Sequence, residues 1–326
     1  MVYKLDVKDR LLLYELDVDA RQGYSTLAKK VGLSKDAVAY RMKLLERAGV
    51  IRNYIAIIDI ARLGYITAGA FLKLHETTHE AEEGIISYLK KHPKVAWVVS
   101  SDGNWDINFM LWVKTVYEYE GFWREFLSKF RRYIARNWFY IITRLHHFRR
   151  GYLLAGTKRA PKPLKPVVIG VGEEAELDHL DLKILGILAP NARTSLIEIA
   201  SKANVSPKVV AYRLKKLERE KVILGYRIGM NLEQIGMMYC KLHLYLRNLS
   251  EQRARELFEY VCSIPNIFYI DEKLGGADME LELEVESPER FREIIADLRH
   301  RFSDVLKEHE PLVYYKEHKL VYLPES

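Results

Sequence analysis

The sequence predicts an α+β chain of two tandem repeats, each a three-helix segment followed by a βαββαβ module. Three observations predict it. The phrase VAYRMKLLERAGVI at residues 38–51 returns as VAYRLKKLEREKVI at residues 210–223. A constant offset of 172 aligns the two halves without a gap from Leu5 onward, and 20 of 47 positions across residues 5–51 are identical. Within each half the apolar spacing changes from a helical period to an alternating one.

The elements of copy one follow in order. DVKDRLLLYEL places Leu12, Leu13 and Leu16 on one side of a first helix. STLAKKVGL reads as a short second helix. In SKDAVAYRMKLLERAGVI, Val38, Met42 and Leu45 recur at helical spacing and face a core, with Ser34 as N-cap. Gly49 stops this third helix, and Lys221 takes its place in copy two. IRNYIAIIDI is extended. TAGAFLKLH, KVAWVVSS, WDINFMLWVK and NWFYIITRLHHF read as strands, with HEAEEGIISYLKKH and YEYEGFWREFLSKFRRYI as the intervening helices. Copy two repeats this order, with Ser206 as N-cap and Pro207 at the first helical position. Met279–Val285 alternates apolar residues with glutamates, which predicts one dry face and one wet face. The helical segments are residues 1–52 and 177–224, and the βαββαβ modules are 53–154 and 225–326. Residues 155–176, with three prolines and four basic residues, read as a stiffened linker.

With 326 residues and 49% apolar content, the chain can bury ample core. Cys240 and Cys262 cannot staple a chain this long, and no Cys/His cluster predicts zinc. The N-terminus is charged from Lys4, unlike a signal peptide, and no apolar run approaches the ~18 residues of a membrane span. A soluble cytoplasmic protein without a membrane partner or cofactor is expected. The net charge of +7 is uneven: residues 1–150 hold 25 basic against 17 acidic side chains, and residues 177–326 hold 22 against 24. The basic half suits a polyanionic partner, and equally a solvated, charge-rich surface.

Three short helices ending in a basic, Ser-capped third helix match the layout of a helix-turn-helix. Opposite its buried stripe, copy one presents Asp36, Tyr40, Lys43 and Arg47, and copy two presents Lys208, Tyr212, Lys215 and Arg219. Lysine and arginine there can neutralise phosphates while the first helical turn reaches base edges; a three-helix scaffold with a solvated charged face is the other reading. This third helix, the short strand after it and the βαββαβ module resemble the Lrp/AsnC family of transcriptional regulators. That family joins a DNA-binding winged helix to an effector-sensing ferredoxin-like module. The resemblance covers nearly all of both repeats and rests most on the S…V..R…L…GVI pattern and a Gly-x-x-Asp turn.

The resemblance implies double-stranded DNA as partner, met by Ser34, Lys35, Asp36, Tyr40, Arg41, Lys43 and Arg47, and by Ser206, Lys208, Tyr212, Arg213, Lys215 and Arg219. Arg41 and Arg213 match the family's helix-three arginine; each either grips phosphate or pairs with an acidic neighbour such as Asp9 or Asp181. Asp36 against Lys208 predicts non-equivalent half-sites. The resemblance also implies a small effector, such as an amino acid, near Gly103 and Asp106 or Gly275 and Asp278; a plain hairpin turn is the other reading. Two readers in one chain suit an intrachain pseudo-dimer, or a homo-oligomer formed through the ferredoxin-like modules.

Other segments carry less. Alternation places Trp138, Tyr140 and Ile142 in a sheet core or interface. His146-His147 lacks a third metal ligand, and IGVGEE lacks the Lys-Ser/Thr of a P-loop. Sirohaem decarboxylases share the Lrp/AsnC scaffold and occur as fused pairs, but they need histidine or arginine lining the sheet cavity. The second-to-third strand turns SSDGNWDIN and EKLGGADME hold no histidine. The expectation is therefore a DNA-binding regulator that is not an enzyme, with an architectural DNA-binding protein of low sequence preference as the alternative.

Overall fold

The computed structural model describes residues 2–159, 165–248 and 250–324. Copy one runs α1 (Val7–Val18), α2 (Tyr24–Val31), α3 (Lys35–Arg47), β1 (Ile51–Ile58), β2 (Ile66–Leu74), α4 (His79–Lys91), β3 (Val95–Asp102), β4 (Ile107–Val113), α5 (Val116–Phe130) and β5 (Ile134–His147). A short strand β6 (Val167–Ile169) follows. Copy two runs α6 (His179–Leu188), α7 (Leu196–Ala203), α8 (Pro207–Arg219), β7 (Ile223–Met230), β8 (Met238–Leu246), α9 (Glu251–Ser263), β9 (Ile267–Leu274), β10 (Met279–Val285), α10 (Pro288–Arg301) and β11 (Leu306–Leu320). Among the described residues, no helix is long and apolar enough to cross a membrane.

The two copies interlock through their strands. β1 and β7 pair antiparallel, with Ile51 opposite Met230 and Ile58 opposite Ile223, so the ribbon has a two-fold at its centre. The modules join in one sheet of order β2-β4-β3-β11-β8-β10-β9-β5-β6, and β2 also pairs with β5, which closes eight strands into a ring. β5 and β11 make closure possible because each serves both copies. β5 pairs with β2 through residues 134–142 and with β9 through 141–147. β11 pairs with β8 through residues 306–314 and with β3 through 313–320. It starts at Leu306, before the expected Pro311, because that earlier stretch forms the copy-two half of the crossing.

Outside the ring, α4 and α5 bury Ile85, Leu89, Phe122 and Phe126 against copy one's sheet. The helices α9 and α10 bury Leu257, Val261, Phe291 and Leu298 against copy two's. A separate core unites both three-helix segments with the ribbon, through residues such as Leu12, Leu45, Leu185 and Leu217. Inside the ring, Trp138 stacks on Trp105 at 5.5 Å and on Tyr245 at 5.8 Å, and Tyr140 and Ile142 pack beside Phe71.

Two expectations are corrected here. Residues 155–176 are not simply a spacer: β6 extends the sheet on β5, and the Gly170 and Val171 amides donate to Asp59. The proline-bearing stretch 160–164 lies outside the described residues. The second correction concerns β10. Glu280, Glu282 and Glu284 are 0%, 6% and 2% exposed, so the expected wet face is buried. Closing the ring turns that face inward, where lysine, histidine and arginine meet it.

Candidate nucleic-acid interface and central cavity

Each reader is assembled from local signals. Asp6 caps α1 and Asp178 caps α6, both in capping boxes with an aspartate three residues on. Ser34 Oγ accepts from the Ala37 amide at 3.1 Å, and Ser206 Oγ from the Val209 amide at 3.3 Å. These bonds satisfy orphan N–H groups and fix where α3 and α8 begin. Val38, Met42 and Leu45 are buried beneath α3; Val210, Leu214 and Leu217 are buried beneath α8. Lys35, Asp36, Tyr40, Lys43 and Arg47 are exposed, as are Lys208, Tyr212, Lys215 and Arg219. Tyr40 and Tyr212 are 68% and 64% exposed, so two large rings stand out from the surface.

Arg41 and Arg213 are placed differently. Arg41 Nη1 lies 2.7 Å from both Asp6 and Asp9, and Arg213 Nη1 lies 2.6 Å from Asp178 and 3.2 Å from Asp181. Of the two readings left open for them, the geometry shows the acidic neighbour. The Asp181 amide and then Arg213 hold the Asp178 carboxyl below its ordinary range. These arginines tie the third helix to the first.

A reciprocal lock holds the two readers together. Arg21 Nη1 donates to the Ala192 and Thr194 carbonyls, while Arg193 Nη1 donates to the Ala20 carbonyl at 2.6 Å and the Gln22 carbonyl at 3.0 Å. Arg21 also lies 5.2 Å from the Tyr226 ring centre, and Arg193 lies 5.3 Å from that of Tyr54. The 172-residue offset aligns Ala20-Arg21 with Ala192-Arg193, yet the sequence alone suggested no role for them. Their identity in both copies was the available signal.

The Gly-x-x-Asp turns are engaged by the protein itself. Asp106 accepts from Lys73 Nζ at 2.7 Å and from the Leu74 amide at 2.6 Å; Asp278 accepts from the Leu246 amide at 2.7 Å. A Cβ on Gly103 would lie 2.8 Å from the Leu312 side chain, and one on Gly275 would lie 2.5 Å from the Phe139 carbonyl. At φ +128° and +81°, both glycines serve close approach to the opposite copy's crossing strand. Asp106 and Asp278, expected beside an effector, are thus each bonded within their own module. His146 and His147 face opposite sides of β5; His146 Nε2 meets Glu272 at 2.6 Å.

Between the β1–β7 ribbon and the ring lies a cavity of about 1000 Å³. Its copy-one wall is Thr67, Trp97, Val99, Met110 and Trp112. At the equivalent positions, copy two supplies Tyr239, Tyr269, Asp271, Glu282 and Glu284. Lys241 Nζ lies 2.8 Å from Asp271, 2.8 Å from Glu280 and 3.1 Å from Glu282. Burial pulls its ammonium down, but Asp271 and Glu280 outweigh burial and hold it well above its ordinary value. Burial pushes the Glu282 carboxyl up despite Lys241. Beside this network, Arg150 binds Asp17 of α1 at 2.7 Å and Glu284 at 2.8 Å, clamping the first helical segment to the ring.

Comparisons with known proteins agree with this geometry. Residues 5–46 match the model of the AsnC-type helix-turn-helix domain, and residues 177–223 match that of a winged helix-turn-helix DNA-binding domain. The chain is 33% identical over 125 residues to the proline dehydrogenase transcriptional activator of Rhodobacter capsulatus, spanning 81% of that protein and 38% of this one. The chain belongs to the Lrp/AsnC family. The transcriptional regulator AzlB of Bacillus subtilis is 31% identical over 76% of its length and 36% of this chain, so each relative corresponds to about one repeat. The tandem arrangement has its own match. The crystal structure of the siroheme decarboxylase NirDL superposes with a TM-score of 0.65 over 98% of this chain and 94% of that one, at 14% identity.

That match overturns the expectation of a non-enzyme. At this identity the likeness is one of fold, yet the whole two-repeat architecture is one that an enzyme uses. The histidine-free turns, moreover, do not line the cavity. The cavity lies away from them and is lined by His147, Arg150, Arg52 and Lys241.

Proposed function

We propose that this Lrp/AsnC-type transcriptional regulator binds a specific duplex sequence as a single chain, with α3 and α8 entering successive major grooves. The carrying observation is the Arg21/Arg193 lock, which holds two exposed tyrosine–basic stripes in a fixed mutual orientation. Helix-turn-helix dimers place such helices about 34 Å apart. The contacts assigned are Lys35, Tyr40, Lys43 and Arg47 with Lys208, Tyr212, Lys215 and Arg219. Ser34 and Ser206 offer helix N-termini to phosphates. Asp36 against Lys208 makes the half-sites non-equivalent, because a carboxylate accepts from a cytosine amino group where a lysine seeks guanine. An amino-acid effector remains part of the reading, supported by relatives named for proline dehydrogenase activation and glutamate uptake.

Selection of bound fragments from genomic DNA, with and without amino acids, tests it. Enrichment of one asymmetric motif is expected, whereas uniform recovery would leave an architectural DNA-binding protein instead. The Lys43→Ala/Lys215→Ala variant should lower the salt slope of binding by about 2, one for each lysine–phosphate pair removed.

A second reading is an enzyme of the siroheme decarboxylase kind, favoured by the whole-chain likeness to NirDL. Anaerobic incubation with sirohaem, followed by mass spectrometry, tests that reading: loss of carbon dioxide from the tetrapyrrole supports it, and unchanged substrate removes it.

A further inference from the structure

The central cavity is divided by chemistry along the line where the two copies meet. One wall is apolar, with Trp97, Val99, Met110 and Trp112; the facing wall carries Tyr269, Asp271, Glu282 and Glu284 at the equivalent positions. Every wall of this kind needs its polar atoms satisfied, and two side chains here are not. His147 is 1% exposed, and neither of its ring nitrogens has a partner among the described residues. Asp271 is 3% exposed, and its Oδ1 also lacks a partner among them. Both line the cavity. In the β5–β9 ladder His147 stands opposite Tyr269 and Leu145 opposite Asp271, so His147 and Asp271 are diagonal neighbours, roughly 7 Å apart.

The charges beside them do not balance. Asp271, Glu280, Glu282 and Glu310 are four carboxylates, and the cations that reach them among the described residues are Lys241, Lys273 and at most His243. With all four ionised, one carboxylate is in surplus even with the histidine protonated. The neighbouring Arg150 is already held by Asp17 and Glu284, and Arg227 donates to the His147 and Phe148 carbonyls. These buried cations are all engaged, while a buried carboxylate oxygen and a buried imidazole have no hydrogen-bond partner among the described residues.

We infer that this cavity is a small-molecule site for a monocationic, largely apolar ligand, whose ammonium group seats between His147 and Asp271 and whose body lies on the copy-one wall. A neutral imidazole accepts one N–H and the free Asp271 oxygen accepts another, and the positive charge offsets the surplus carboxylate against the repulsion of Arg150 and Arg227, which lie near His147. Trp97 and Trp112 suit the apolar body and add a cation–π face for a substituted amine. The volume lies at the upper end of the range of about 300–1,000 Å³ usual for such sites. A polycarboxylate fits this wall poorly, since it would face Asp271, Glu282 and Glu284, whose cations are already engaged. The inference goes beyond DNA binding and is independent of it.

Calorimetric titration of the full chain with 2-phenylethylamine, 3-phenylpropionate and an iron-uroporphyrin analogue tests this site, with tryptophan fluorescence as a second readout. The amine should bind at least tenfold tighter than the matched carboxylate and quench tryptophan emission. Asp271→Asn and His147→Phe should each weaken amine binding about tenfold. Equal or tighter binding of either carboxylate ligand, or no amine binding at millimolar concentration, would overturn the inference, as would amine binding unchanged in both variants. Should the variants fail to fold, the comparison of the three ligands on the native chain decides it alone. No DNA enters the experiment, so its failure leaves the regulator reading untouched.

Discussion

The two copies share a backbone plan but differ in what they bury. On the ring's inner face, copy one places Gly69, Phe71, Val99, Asn108 and Met110 where copy two places Lys241, His243, Asp271, Glu280 and Glu282. The reader surfaces diverge far less: Tyr40, Arg41, Lys43 and Arg47 recur as Tyr212, Arg213, Lys215 and Arg219. Duplication has thus kept the outer stripes alike and split the interior into a greasy half and an ionic half. The asymmetry is costly only where it is buried. An exposed charge is nearly free, whereas a buried one must be matched by a partner from another strand.

Removing that match should have the largest effect. Lys241→Met leaves Asp271, Glu280 and Glu282 buried around an apolar side chain, and breaking a buried pair by deleting one partner costs roughly 3–5 kcal/mol. A fall of this size in the urea unfolding free energy is expected, together with weaker copy-two amide protection. Full native stability in the variant would show that the carboxylates simply take up protons without penalty, and the ionic half would lose its structural meaning.

How much of this was legible follows from range. The Ser34 and Ser206 caps and the element order were readable because each depends on residues a few positions apart. The inward face of β10 was not. Alternation shows that the two faces of a strand differ, but it cannot show which is wet, and a closed ring makes both dry. The cations that meet Glu280 and Glu282 sit on β8 and β9, and only the strand order brings them together. The Arg21/Arg193 lock was hidden for the same reason, since each arginine bonds the other copy. The two readings of the turn aspartates Asp106 and Asp278 could not be separated, because a carboxylate that clamps its own neighbour looks, in sequence, like one that meets a ligand.

A smaller difference between the copies is set by pH. Burial, then Arg227 and Arg150, holds His147 well below its ordinary value of 6.5, and its copy-two counterpart is Lys319. The unfolded chain therefore binds a proton that the folded chain refuses. Stability contributed by neutral His147 is nearly full well above pH 6.5 and declines as pH falls through it, with a slope that approaches about 1.4 kcal/mol per pH unit. Urea titrations at pH 7.5, 6.5 and 5.5 should show this slope on the acid side, and His147→Phe should flatten it. An unchanged slope in the variant would assign the acid sensitivity to another group.

The smallest expected effect separates the copies at the end of the third helix. Gly49 closes α3 at φ +71°, and Lys221 closes α8 at φ +60°, the same left-handed conformation. For a side chain with a Cβ, this backbone costs about 1 kcal/mol that glycine avoids. Space is not the obstacle in copy one: a Cβ on Gly49 would meet only Gln234 Cγ, at 3.9 Å. The penalty is therefore one of backbone conformation. Lys221→Gly should stabilise the chain by about 0.5–1 kcal/mol, reduced by the greater freedom of glycine in the unfolded state, and Gly49→Lys should destabilise it by a similar amount. Both readers share one core with the ribbon, so a shift in the urea midpoint at constant m-value reports each change. Opposite signs in the two variants would place the cost in the left-handed turn itself; equal signs would place it in what the lysine side chain touches.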